Sequence, residues 1–350
     1  MPGSQHTAEL LSGLKSCGSS KDLEKGRVLH DRAIQSGVCS NLYVSCSLIG
    51  MYGRCGSLVE ARRVFDRMPC HNVVAWNAFI LEHAENGEES RALEAFSWME
   101  SQGCAPDSGT FFAAIKACSA LAVREEARLI GGKMIKLEAL EQGMRIHSRA
   151  KRSGKDDHVA SSLVEMYAYC GRMVEACMVF YRSSRHSVIS WTVLVLGYVA
   201  NGESELALEV FGSMGAGEIK PDGRCFGAAV KACSDLAGRE KWGEALDGTA
   251  VKVSALGKGR GIHRQARRVL DVFLGNALVD MFAKCRSMAD ARGVFDRMPS
   301  HNVVSWNTLL VGYVDNGEAE LALESSGFLD VCRRFEGLHW ISSERRSHKL

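Results

Sequence analysis

A repeat of 115 residues constrains this chain more than any other feature. Trp76, Trp191 and Trp306 stand 115 residues apart both times. Arg67, Arg182 and Arg297 keep the same step, as do His71, His186 and His301, and Gly87, Gly202 and Gly317. The stretch HNVVAWNAFI, starting at His71, returns as HSVISWTVLV from His186 and as HNVVSWNTLL from His301. Self-similarity at a fixed period marks an array whose units bury their apolar faces against one another. An interval of 115 residues is too long for one supersecondary unit, so it must contain smaller ones.

Residues 73–107 form one such unit. Val73, Trp76, Phe79, Ile80 and His83 fall at helical spacing. Gly87 can close that helix, and Ala92, Leu93, Phe96 and Met99 mark a second one before Gly103 and Pro106 stop it. Residues 188–222 repeat the pattern, and a third copy over 303–325 loses it after Leu323, leaving a divergent tail at 326–350. A shorter type covers 42–72, 157–187 and 272–302. A third type covers 7–41, and in expanded form 108–156 and 223–271, each 14 residues longer. The extra residues (VREEARLIGGKMIK in the first) are rich in helix formers and predict an added helical turn or short helix.

Composition fits an array of helices. The chain is 46% hydrophobic and 24% charged, with only five prolines, so it can bury a core. Its formal charge of +2 does not advertise a polyanion partner. None of the 13 cysteines is spaced C-x-x-C. Cys55, Cys170 and Cys285 recur with the repeat, as do Cys118 and Cys233, which predicts small buried hydrophobes rather than disulfides and a reducing compartment. The apolar run Val188 to Ala200 has the length of one buried helix, too short to span a bilayer, so no membrane is expected. MPGSQHTAELL reads as neither a signal nor a transit peptide.

Three unit types in strict rotation, with the phrases NVVSWNTLL, DVFLGNALVDMFAKC, ARGVFDRMP and LEQGMRIH, resemble the PLS class of plant pentatricopeptide repeat proteins over residues 7 to 323. The expanded units and the broken third P unit depart from that pattern. The resemblance implies an all-α, right-handed α-solenoid of stacked helix-turn-helix repeats that binds single-stranded RNA, one base per repeat. It implies that the fifth residue of a P or S unit reads the base with the unit's last residue, while the second wedges between bases. Asn77 with Asp107 then resembles a uridine reader, Thr192 with Asp222 a guanine reader, and Asn276 with Asn302 a pyrimidine reader with cytidine favoured. Asn307 lacks a clear partner because its unit is broken. Val74, Ile189, Phe273 and Val304 would be the wedges. Independently of the resemblance, Asn77, Thr192 and Asn307 are the odd polar residues in apolar helices, able to meet a Watson–Crick edge or to bond neighbouring backbone. Cys46 with Asn72 and Ser161 with Ser187 fit no strong pair, and Leu11, Phe112 and Gly227 occupy the reading position of the L units.

Many members of that class end in a zinc deaminase domain, which needs an H-x-E and a C-x-x-C. Neither is expected in this chain, so no metal, cofactor, small-molecule substrate or catalytic residue is expected, and editing would require a deaminase supplied in trans. The resemblance implies a mitochondrion or chloroplast, and organellar RNA processing or C-to-U editing. The competing expectations are a tetratricopeptide-type protein-binding scaffold, whose motif Trp191, Gly197, Tyr198, Ala207 and Phe211 echo, and a non-functional gene fragment.

Overall fold

A computed structural model describes residues 2–184, 186–216, 219–244 and 250–324. Among them run eighteen α-helices: α1 (Pro2–Ser20), α2 (Leu23–Gln35), α3 (Leu42–Arg54), α4 (Leu58–Asp66), α5 (Val73–Glu85), α6 (Glu89–Ser101), α7 (Ser108–Arg124), α8 (Leu137–Arg152), α9 (Ala160–Tyr169), α10 (Met173–Arg182), α11 (Val188–Ala200), α12 (Ser204–Ala216), α13 (Gly223–Arg239), α14 (Val253–Ala266), α15 (Val272–Lys284), α16 (Met288–Phe295), α17 (Val303–Asp315) and α18 (Ala319–Glu324). The divergent tail of 326–350 lies outside the described residues.

The chain divides into two compact units, Met1–Asn201 and Gly202–Leu350. In the first, the odd-numbered helices α1 to α11 pack each on the next; in the second, α13, α15 and α17 do the same. The even-numbered helices α2, α4, α6, α8 and α10 back the first row, and α14, α16 and α18 back the second. Each unit is therefore a stack of helical hairpins, the helical solenoid architecture.

The recurring His–Trp phrase builds the joints of this stack. Phe65, at the end of α4, stacks on His71 at 4.2 Å and meets Trp76 edge-on at 4.8 Å. Phe295 repeats this with His301 at 4.1 Å and Trp306 at 4.8 Å, and Phe180 with His186 at 4.5 Å and Trp191 at 4.8 Å. His71 Nε2 and His301 Nε2 each lie 2.8 Å from the carbonyl oxygen of that phenylalanine. The next residue is then free to cap a helix: Asn72 Oδ1 accepts from Ala75 N, and Asn302 Oδ1 from Ser305 N. The phrase is kept because it fixes a corner between consecutive repeats.

Among the described residues, the 14-residue expansions do not form the added helix their composition predicts. In the first, β1 (Arg128–Ile130) pairs antiparallel with β2 (Lys133–Ile135); in the second, β3 (Gly243–Glu244) pairs with β4 (Ala250–Val251). In the first the cause is Gly131–Gly132, with φ of 57° and 79°, which permits the two-residue turn whose twist matches a hairpin. Each insert is clamped at its root. Glu125 accepts from Glu138 N and Ala139 N at 2.9 and 3.0 Å, so the expansion caps α8 with its own carboxylate. Lys136 Nζ turns back to the Glu125 carbonyl. Glu240 does the same for α14, accepting from Ser254 N and Ala255 N, with Lys252 Nζ on the Glu240 carbonyl. The second expansion is one residue longer: Val253 stands 116 residues after Leu137, and the link from α14 to α15 restores the period.

Candidate nucleic-acid interface

Asn77 lies in the second turn of α5, and Asp107 is the N-cap of α7. The packing of α5 against α7 brings them together: Asn77 Nδ2 donates to Asp107 Oδ1 at 2.9 Å. Thr110 completes the cluster. Its one hydroxyl proton has two acceptors in reach, Asn77 Oδ1 at 2.6 Å and Asp107 Oδ1 at 3.0 Å, and its oxygen accepts from Asp107 N at 3.0 Å, while Thr110 N donates to Asp107 Oδ1 at 2.8 Å. Asn77 and Asp107 are half-buried, and Thr110 is 0% exposed. Burial alone would raise the Asp107 carboxyl, but the N–H of Thr110, the Asn77 amide, the Thr110 hydroxyl and the N–H of Gly109 together hold it below the usual carboxylate range. An ionised, pre-oriented acceptor thus sits behind an amide that retains one N–H and one lone pair.

The other expected pairs differ. Thr192 is half-buried, and its hydroxyl donates to Val188 O at 2.8 Å, within its own helix. Asp222 is exposed, caps α13 by accepting from Cys225 N, and belongs to the second compact unit whereas Thr192 belongs to the first. Asn276 keeps a buried Oδ1 with no hydrogen-bond partner among the described residues, and Asn302 is committed to Ser305 at the start of α17. Asn307 is exposed.

The expected wedge residues are all exposed despite being apolar: Val74 49%, Ile189 65%, Phe273 76% and Val304 58%. Each is the second residue of its helix, one turn before a polar residue. Sequence reading passed over Tyr43, which holds the same place in α3 and is 73% exposed. Its position as the second residue of the 42–72 unit was the available signal. Thr110 is a further such residue, in a unit whose own reading position holds the apolar Phe112; its signal in the sequence is the Asp-x-x-Thr spacing of a capping box.

One H-x-E does occur, at His83–Ala84–Glu85, and sequence reading overlooked it. It is no metal centre in the making: His83 is buried with Nδ1 on Phe79 O at 2.8 Å, while Glu85 is exposed. Among the described residues, no group of three or more His, Cys, Asp or Glu side chains is disposed to hold a metal ion.

The PPR repeat family profile matches residues 71–120, and the PPR repeat matches 44–73, 189–216, 276–303 and 304–324. A mitochondrial pentatricopeptide repeat-containing protein of Arabidopsis thaliana is 32% identical over 311 residues, covering 88% of this chain and 27% of that protein. A chloroplastic one from the same plant is 31% identical over 309 residues, covering 87% and 34%. The chain spans between about a quarter and a half of the length of such relatives. The crystal structure of the pentatricopeptide repeat protein PPR10 from maize shares its fold, with a TM-score of 0.64 at 20% identity over 87% of this chain and 41% of that one. PPR10 in complex with an 18-nucleotide psaJ RNA element gives 0.60 at 18% identity, over 87% and 42%. With its stacked hairpins, its repeat-locked joints and these matches along most of its length, the chain belongs to the pentatricopeptide repeat family.

Proposed function

We propose that this chain is a sequence-specific single-stranded RNA-binding array of the PLS class that acts in organellar RNA processing, with C-to-U editing chemistry supplied by a deaminase in trans. The observation that carries the reading is the hydrogen bond from Asn77 on α5 to Asp107 at the cap of α7, with the exposed Val74 one turn before Asn77. The repeat units are those at 7–41, 42–72, 73–107, 108–156, 157–187, 188–222, 223–271, 272–302 and 303–325. Asn77 with Asp107 reads uridine, Thr192 with Asp222 guanine, and Asn276 with Asn302 a pyrimidine, giving the minimal string U-n-n-G-n-Y; Asn307 opens a further reading position. Val74, Ile189, Phe273 and Val304, with Tyr43, separate the bases. Each stacked base contributes about 1–3 kcal/mol in single-strand binders, and the aliphatic wedges belong at the low end. The mitochondrial and chloroplastic names of the relatives support an organellar site of action.

The test varies one nucleotide. Short RNAs carrying U-n-n-G-n-Y are compared with versions changed only at the G, using the wild type and Thr192→Asn. The expected result is a guanine preference that moves toward uridine in the variant, with unchanged helicity. Affinity indifferent to that base in both proteins refutes the base-reading role.

A further inference from the structure

We propose that Thr110 is a specificity-determining positioning residue: its hydroxyl fixes which way the Asn77 amide faces, and so makes the first pair select uracil over cytosine. The proposal rests on the RNA-reading function above and concerns a residue outside the reading pair. Uracil presents O4, N3–H and O2; cytosine presents N4–H, N3 and O2. A carboxamide can pair with either base through two hydrogen bonds. With the base held in one place by its wedges, an amide oxygen opposite N3 suits uracil. An amide N–H opposite N3 suits cytosine. A half-turn of the amide about its last torsion converts one reader into the other, so an asparagine free to turn reads pyrimidines without distinguishing them.

Asn77 is not free to turn. Its Nδ2 donates to the Asp107 carboxylate at 2.9 Å, and its Oδ1 accepts from the Thr110 hydroxyl at 2.6 Å. Turning the amide would set Oδ1 against a carboxylate oxygen and move the Thr110 proton from its 2.6 Å bond to Asn77 onto its longer alternative, Asp107 Oδ1 at 3.0 Å. The Asp107 carboxylate supplies one half of the lock, and Thr110 the other. Thr110 is itself fixed: its oxygen accepts from Asp107 N, and it is wholly buried, so it acts on the base only through Asn77 and Asp107.

The other pairs show what the absence of the lock looks like. Behind Asn276 the equivalent third residue is Ser305, whose hydroxyl lies 3.0 Å from Asn302 Oδ1, and Asn276 Oδ1 is left with no partner among the described residues. Its companion Asn302 is an amide, which offers no carboxylate to enforce one orientation. At the cap of α13 the third residue is Cys225, which has no hydroxyl, and its Sγ turns to Met214 Sδ at 3.3 Å. The third residue of the following repeat thus sets how sharply the pair before it discriminates.

The experiment measures affinity for four short RNAs that differ only at the nucleotide facing Asn77, for the wild type, Thr110→Val and Thr110→Ser, with circular dichroism melts of each. The wild type should prefer U over C. The valine variant should lose roughly five- to tenfold of that U:C ratio, the worth of one hydrogen bond, mainly by binding C better, while A and G stay poor. The serine variant, which keeps the hydroxyl, should retain the ratio. Thr110→Ala serves in place of valine if that variant melts early. A U:C ratio unchanged by valine overturns the proposal and leaves the reading function standing. So does a loss of equal size for all four bases, which marks a merely structural threonine. A wild type indifferent to the base overturns both.

Discussion

Glu82 shows how a single residue departs from the array around it. The repeat places glycine at the two later copies of this position, Gly197 and Gly312, facing Ala168 and Ala283. In the first copy the bulk has changed sides: Glu82 faces Gly53, where a Cβ would collide with its side chain. The swap fills the joint with a carboxylate that is 4% exposed, has one oxygen without a hydrogen-bond partner among the described residues, and lies 4.0 Å from Arg54. Burial pushes its pKa up to about 7, against the pull of Arg54. A carboxyl with a raised folded pKa contributes its full share of stability below its unfolded value, and that share is lost as pH rises through 7. Glu82→Gln should therefore gain roughly 2–3 kcal/mol on the wild type between pH 4 and pH 8. Urea midpoints at both pH values measure this, and parallel pH profiles would refute the burial argument. At this scale the sequence made part of the interface legible. A polar side chain inside an apolar stripe, as at Asn77 and Thr192, is visible because solvation makes it costly without a role. What supports Asn77 was not legible, because Thr110 belongs to the next repeat and meets it only through the packing of α5 on α7.

The helices themselves were legible, since a 3.6-residue apolar period repeated at a fixed interval leaves few alternatives. The expansions were not. Glu, Arg, Lys and Met in VREEARLIGGKMIK favour helix by intrinsic preference, but Gly131–Gly132 costs a helix about twice the glycine penalty and favours a hairpin turn. The hairpin also answers a need created by its own insertion: the N-terminus of α8 requires acceptors for its first N–H groups, and Glu125 provides them from the far side of the loop. Its copy at Glu240 shows that the device belongs to the long unit and not to one loop. Glu125→Ala should cost about 1 kcal/mol, as loss of a helix cap does, and Glu240→Ala about the same. Denaturant midpoints would measure both, with Glu126→Ala, an exposed neighbour, expected to change nothing. Equal effects at Glu125 and Glu126 would mean that the carboxylate is a surface charge and not a cap.

In an array of this kind stability is a sum of hairpins and their neighbour contacts, so cooperativity has a length that can be measured. The cysteines supply the probes. The twelve described ones are all free. Cys118 and Cys170 in the first compact unit, and Cys233 and Cys285 in the second, are buried, and burial pushes each of these thiols to about 12. A thiolate is the reactive species, so all four should resist alkylation at pH 8 while folded. In denaturant without reductant all 13 cysteines of the chain should react, as repeat-locked hydrophobes and not disulfide partners. Brief alkylation pulses across a urea series, read by peptide mass, then report where each joint opens. α7 carries Cys118 and packs on α9, which ends at Cys170; α13 carries Cys233 and packs on α15, which ends at Cys285. Helices that bury one another lose protection together, so Cys118 and Cys170 should become reactive at one urea concentration, and Cys233 and Cys285 at one concentration of their own. A midpoint for Cys118 well below that for Cys170 would show that single helices, and not compact units, are the cooperative elements of this solenoid.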